Sequence, residues 1–271
     1  MRSRNRVSGS RAPTLASRPE RWEADGMVPA YRTVAIDCFR DTLGRFTNGY
    51  AFVAVDVVRA MTTAVTAVAL GRRCFAAPTV AAALGRAARL ERPLLVGELG
   101  GEMPAGFELG NSPAELARRT DVDRPVVLVS SSGTPLLERA GACGPTYLGC
   151  FRNSRFLGRW LVGRHRRIAV LGAASRGEFR EEDQMCCAQI AAALIAAGYA
   201  PQDRTTAELV ERWGDAPADA WLGSHSATYL RRTGQADDLD FILRHMHDLS
   251  TVFQVQDGEV VAVRETAGAA A

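Results

Sequence analysis

Lysine is missing altogether: of 271 residues, 33 are basic, and every one is arginine. This removes Schiff-base chemistry on an internal lysine, and with it the Walker A loop and the protein-kinase strand lysine. Histidine is scarce, with four residues, and no His-Glu-x-x-His run or Gly-x-Ser-x-Gly elbow occurs. The six cysteines (Cys38, Cys74, Cys143, Cys150, Cys186 and Cys187) form no Cys-x-x-Cys pair and have no histidine at zinc-ligand spacing, which argues against a zinc site or a redox dithiol. Long apolar runs are also lacking, so no membrane span is expected.

What is present is ordinary for a globular enzyme. Hydrophobic residues make up 47% and charged residues 23%, a balance unsuited to a disordered or fibrous chain. The net charge of +3 is spread along the whole length, which gives nucleic-acid binding little support. Residues 1–30 hold Arg2, Arg4, Arg6, Arg11, Arg18 and Arg21 without the apolar core of a secretory signal. They read as a disordered basic extension, residues 31–271 as the folded domain, and the cytoplasm as the expected location.

Short β-branched runs alternate with Ala/Leu/Arg runs of helical period. Strands are expected at 33–39, 51–58, 74–76, 93–96, 125–129, 146–150 and 168–171, and helices at 60–70, 80–90, 153–162 and 181–197. Continuous apolar strands between helices predict a mostly parallel or mixed sheet covered on both faces. Helices at 205–212, 219–231 and 237–247, then a hairpin turning at Asp257-Gly258, are expected to decorate that sheet.

Polar residues collect just past the strands: Asp56 and Arg59, Gly97-Glu98, Ser130 to Thr134, and Ala173 to Asp183. In an open parallel sheet the carboxyl ends of neighbouring strands face one crevice, so four segments are expected to converge. Ordinary caps and turns account for Ser132, Thr134 and Asp183 equally well, and less well for Asp56 and Arg59. Asp56, Glu98 and Asp183 are hard oxygen ligands suited to Mg²⁺. Arg59 and Arg176 offer planar forks for phosphate, sulfonate or carboxylate, and Thr62, Thr63 and Thr134 add hydroxyls to an anion cradle.

At these same residues the chain resembles the 2-phosphosulfolactate phosphatase (ComB) family. Val55 to Thr63 (VDVVRAMTT) matches the family's Asp-Val-x-Arg-Ala-Thr-Thr-Thr, and Gly97-Glu98 its Gly-Glu-Arg. Gly106 to Pro113 (GFELGNSP) matches Gly-Phe-Asp-Leu-Gly-Asn-Ser-Pro, Ser130 to Thr134 stands at Thr-Thr-Asn-Gly-Thr, and Gly172 to Asp183 resembles a Gly-rich segment ending in Glu-Asp. The resemblance implies a three-layer α/β/α fold and Mg²⁺-dependent hydrolysis of a phosphorylated, sulfonated 2-hydroxy acid. It implies Asp56, Glu98 and Asp183 as catalytic metal ligands, and Arg59, Thr62, Asn111, Ser132, Thr134 and Arg176 as substrate contacts. Asn111 serves equally well as the turn before Pro113.

Leu99, Met61 and Ser132 depart from the family pattern, at an Arg, a Thr and an Asn. A catalytically silent ComB-like protein that binds an anionic metabolite is therefore the alternative. A small phosphorylated substrate is the expected partner, with no nucleic acid or membrane, and a homo-oligomer is compatible with the sequence. The remaining clusters read more plainly. His245-Met246-His247-Asp248 suits a helix C-terminus, Cys186-Cys187 suits core packing, and His225 is a loop residue able to act as a general acid but with nothing to place it near Asp56.

Overall fold

A computed structural model describes residues 31–38, 42–46, 49–174 and 177–263. The basic extension 1–30 and Arg176 lie outside the described residues. The strands are β1 (Thr33–Cys38), β2 (Tyr50–Val55), β3 (Cys74–Ala77), β4 (Leu94–Gly97), β5 (Val126–Val129), β6 (Thr146–Gly149), β7 (Arg167–Gly172), β8 (Ala200–Pro201), β9 (Val252–Gln256) and β10 (Glu259–Val263). The helices are α1 (Ala60–Ala69), α2 (Val80–Ala87), α3 (Pro113–Arg118), α4 (Gly133–Cys143), α5 (Ser154–Leu161), α6 (Glu181–Ala196), α7 (Arg204–Trp213), α8 (His225–Arg232) and α9 (Ala236–Arg244).

All ten strands share one sheet in the order β4-β5-β3-β10-β9-β6-β2-β7-β1-β8. Two parallel blocks, β4-β5-β3 and β6-β2-β7-β1-β8, flank the hairpin β9-β10. The pairings β3 with β10, β10 with β9, and β9 with β6 are all antiparallel. Three reversals in succession turn the second block against the first. The hairpin is thus the seam of the sheet and not the decoration expected.

Alternating side chains of each strand feed opposite faces, as the period of two requires. Ala35, Phe52 and Ala54 pack with α1 and α4, whereas Val34, Ile36, Ala51, Val53 and Val55 pack with α5, α6 and the helices that follow. In the first block, Phe75, Ala77, Val127 and Val129 cover Ala83 and Ala87 of α2. Helices therefore lie on both faces of a mixed, mostly parallel sheet. Cys186 and Cys187 are fully buried in the second cluster, the packing role expected.

One helix is shorter than expected and one is new. Residues 218–223 form turns, so α8 begins only at His225, where Ser224 accepts the Ala227 N–H at 3.2 Å as N-cap. Ser112 likewise caps α3 by accepting the Glu115 N–H at 3.1 Å, with Pro113 in the first turn, where its missing N–H costs nothing.

Candidate active site

β2 ends at Val55, and the chain turns at once into α1, with Asp56 in the joint. Its Oδ1 accepts the Ala60 N–H at 3.1 Å and its carbonyl the Met61 N–H at 3.0 Å, so the carboxylate takes the place of an N-terminal cap. From α6, Asp183 reaches the same joint, where its Oδ1 accepts the Val57 N–H at 2.8 Å. Ala173, just past β7, donates to Val55 at 2.8 Å and closes that corner.

The first block arrives from the other side. Gly97, at the end of β4, lies so close to β5 that a Cβ there would stand 2.2 Å from the Val129 carbonyl oxygen. Only glycine tolerates such an approach. Gly133, at the start of α4, is packed against the second block: a Cβ there would stand 2.5 Å from Asp56 Oδ2 and 2.7 Å from the Ala60 side chain. The carboxyl ends of two opposed blocks therefore meet head to head, and the crevice expected of one parallel sheet is built by two.

Between them lies a cavity of about 590 Å³. Asp56, Arg59, Glu98, Asn111, Ser132 and Asp183, all expected site residues, line it. Thr62 and Thr134 do not. The Thr62 hydroxyl donates to the Val57 carbonyl at 2.8 Å, and Thr134 Oγ1 accepts the Ser130 N–H at 3.0 Å and donates to the Ser130 carbonyl at 3.2 Å. Both hydroxyls are engaged by local backbone, and neither lines the cavity.

All three members of the expected carboxylate trio line the cavity, but Glu98 has partners of its own. Glu98 accepts from Ser131 N–H at 2.8 Å, Ser131 Oγ at 2.9 Å and Gly101 N–H at 2.8 Å, so it braces two loops together. Among the described residues, no group of three or more His, Cys, Asp or Glu side chains is arranged to hold a metal ion. What remains is the pair Asp56 and Asp183, with the neutral Asn111 on the same wall.

Arg59 does not stand free. Its Nη1 is bonded to Gln235 and lies 2.5 Å from Asp238 Oδ2, and both charged side chains are buried. Asp238 Oδ1 in turn accepts from the Ser112 hydroxyl at 2.6 Å and the Ala114 N–H at 3.0 Å. Arg59 is thus the bolt that fastens the start of α1 to α9 and α3.

Burial dominates the electrostatics. It pushes the Asp56 carboxyl up to about 7, with Glu98 and Glu182 adding repulsion. Asp183 is raised well above the ordinary carboxylate range, by burial first and then by Asp56 and Glu182. Glu182 is raised by burial as well, and its Oε2 is buried without a partner, as is Asn111 Oδ1. Buried carboxylates that repel one another, beside orphaned oxygens, form a site short of positive charge.

Several lining residues have no role in the sequence reading: Arg180 and Glu182, and Ser226, Tyr229 and Arg232 of α8; His225, there a general acid without a place, lines the same cavity as Asp56. Arg180 and Glu182 lie inside the Gly172 to Asp183 segment, where acids at a helix start read as favouring the dipole. His225 lies on the cavity wall, its Nδ1 2.9 Å from Arg180 Nη1. The His245 cluster is structural, with His245 Nδ1 2.7 Å from Asp248 Oδ2 and Asp248 paired to Arg152.

A family model described as 2-phosphosulpholactate phosphatase matches residues 37–258. The chain belongs to this family. It is 31% identical over 194 residues to a "Probable 2-phosphosulfolactate phosphatase" of Deinococcus radiodurans, covering 70% of this chain and 81% of that one. A protein of the same name from Synechococcus sp. (strain WH7803) is 28% identical over 246 residues, covering 88% of this chain and all of the relative. The like-named protein of Pseudothermotoga lettingae is 34% identical over 138 residues, which span 51% of this chain and 59% of the relative. The ComB family is one of phosphoric monoester hydrolases, and every site segment from Asp56 to Asp183 falls within the matched range. No helix among the described residues is long and apolar enough to cross a membrane.

Proposed function

We propose that this ComB-family chain is a Mg²⁺-dependent phosphatase that hydrolyses the phosphoester of a small anionic 2-phospho-hydroxy acid, of which 2-phosphosulfolactate is the type. The observation that carries it is the meeting of Asp56 and Asp183, both buried and both raised, in the cavity where Gly133 lies against Asp56. The donors fit Mg²⁺ by type, since it takes one or two carboxylates, neutral oxygens, water and substrate oxygens. Asp56 and Asp183 would hold it, with Asn111 Oδ1 as a neutral neighbour. When bound, the ion supplies charge neutralisation and polarises the phosphoryl oxygen.

The chain's own residues do the rest. The start of α4 has no side-chain cap at Ser132, so the Gly133 N–H and the Ser132 hydroxyl are suited to receive phosphoryl oxygens. Glu98 holds the loops 98–101 and 130–132 in register around that point. Arg59, already paired, fixes the wall on which Asp56 sits. Glycine at 133 keeps the phosphoryl site within reach of Asp56, and α8 closes the cavity on its far side. Such fixed donors lower the barrier because they need no rearrangement as charge develops.

The test is phosphate release from phosphorylated 2-hydroxy acids with Mg²⁺ and with chelator. Release that needs the ion and is lost in Asp56→Asn and Asp183→Asn is expected. Metal-independent release would overturn the dependence on Mg²⁺, and no release from any member of the series would leave a binder of anionic metabolites.

A further inference from the structure

The cavity has an acidic floor and a basic wall. The floor is Asp56, Glu182 and Asp183; the wall is Arg180, at the N-cap of α6, with His225 and Arg232 at the two ends of α8. Arg59 is paired with Asp238 and Arg180 with Glu178, so of the cavity's arginines Arg232 is the one whose side chain has no acidic partner among the described residues.

Arg180 is the telling member. Its side chain is 14% exposed, and its Nη1 donates to the Glu178 carboxylate at 2.5 Å. The same Nη1 is 2.9 Å from His225 Nδ1, which must accept because a guanidinium only donates. Two partners hold the plane of the fork, yet its Nε–H is buried with no acceptor. A guanidinium held through Nη1, with no partner for Nη2 among the described residues, keeps that edge for an oxyanion. The Arg232 side chain makes no hydrogen bond or ion pair among the described residues and lines the same cavity. α8 is itself anchored across the cavity mouth, where the Tyr229 hydroxyl donates to the Gly101 carbonyl at 3.2 Å.

We propose that Arg180 and Arg232 form a second anion site, which takes the carboxylate or sulfonate of the substrate while the phosphoryl group lies over the acidic floor. This rests on the phosphatase reading above. It makes α8 the element that selects phosphate esters of acids over esters of neutral alcohols. The floor alone would serve any phosphomonoester; the wall has no use without a second oxyanion.

Arg180→Gln and Arg232→Ala are compared with the parent protein on 2-phospholactate, 2-phosphosulfolactate and glycerol 2-phosphate, which attaches its phosphate at the same carbon but has no second anion. Loss of a charge-assisted hydrogen bond predicts that kcat/KM for the two acids falls roughly 10- to 100-fold, mostly in KM, with glycerol 2-phosphate changed less than about threefold. A larger loss on 2-phosphosulfolactate assigns the sulfonate; equal losses on both acids assign the carboxylate. Equal losses on all three compounds overturn the proposal, because they mark a structural role. Arg232→Ala guards against misfolding, since that side chain is exposed.

If the parent protein hydrolyses none of the three, the phosphatase reading fails and the wall is tested by binding. Sulfolactate and lactate, but not glycerol, are then expected to raise the melting temperature of the parent protein and not of the two variants. The same shift in all three proteins, or no shift in the parent, overturns the second anion site.

Discussion

Asp183 accepts the backbone N–H of Val57 at 2.8 Å, so a carboxylate in the first turn of α6 is tied to the peptide that leaves β2 directly after Asp56. One hydrogen bond thereby sets the spacing between the two acids. It also places two negative groups in a buried corner, where each makes the other harder to ionise.

The first consequence is a pH-dependent stability of the metal-free protein. The Asp56 carboxyl sits at about 7 in the fold against an ordinary value of 3.8. Between those values the native state holds a proton that the unfolded chain has released. Stability is therefore full below about pH 4 and falls as pH rises through 7. The melting temperature in chelator should drop from pH 5 to pH 8, and Asp56→Asn should raise it at pH 8 and flatten the profile. A parent protein more stable at pH 8 than at pH 5 contradicts this.

Mg²⁺ should reverse that trend. A cation held by Asp56 and Asp183 binds the ionised form, so its stabilisation should be larger at pH 8 than at pH 5.5. Calorimetric scans with and without the ion read the difference. Asp183→Asn should abolish it while leaving the protein folded, because an amide oxygen still accepts the Val57 N–H.

Asp238→Ala tests the bolt at Arg59. Removing the carboxylate leaves a buried guanidinium unpaired and frees the Ser112 hydroxyl and the Ala114 N–H. A loss of about 3–5 kcal/mol in urea unfolding is expected, the range found when one partner of a buried ion pair is removed. A loss under about 1 kcal/mol, the size typical of exposed pairs, would show that Arg59 is free to serve a ligand.

Gly133→Ala tests the contact between the opposed blocks. The added methyl would stand 2.5 Å from Asp56 Oδ2 and 2.7 Å from Ala60 Cβ, so the helix start or the Asp56 carboxylate must shift. Phosphate release should fall by roughly 100-fold, since displacements on the order of 1 Å at a reacting group cost that much. Gly141→Ala, in the same helix with its nearest neighbour at 3.5 Å, is the control and should behave like the parent.

Much of the fold can be read from the chain because the local signals agree. Cys74–Ala77, Val126–Val129 and Arg167–Gly172 are short, apolar and bounded by turn or polar residues, and each is a buried strand. The Asp257-Gly258 turn is equally plain, with Asp257 and Gly258 both at positive φ. Where β9 and β10 would lie is not plain. Their register is set by partners such as Cys74 and Tyr147, more than a hundred residues away. At the site, Asp56 and Asp183 are legible as acids at strand and helix ends, but not their meeting. α8 is silent, since a helix carrying Arg232 and His225 on a polar face looks like any solvated helix until its neighbours are known. Thr62 and Thr134 are ambiguous for the opposite reason: a hydroxyl beside a helix start bonds its own backbone as readily as a ligand.

The seam built by β9 and β10 imposes an order on assembly. Glu259 pairs with Phe75 and Tyr147 with Gln254, so the two halves cannot be joined into one sheet until residues 252–263 have been synthesised. Closing loops of that length is entropically slow and makes for high contact order. During translation each half exposes an unpaired strand edge, β3 on one and β6 on the other. A nascent chain stalled before Val252 would thus present two sticky borders with nothing between them, a species fit for chaperone capture or aggregation.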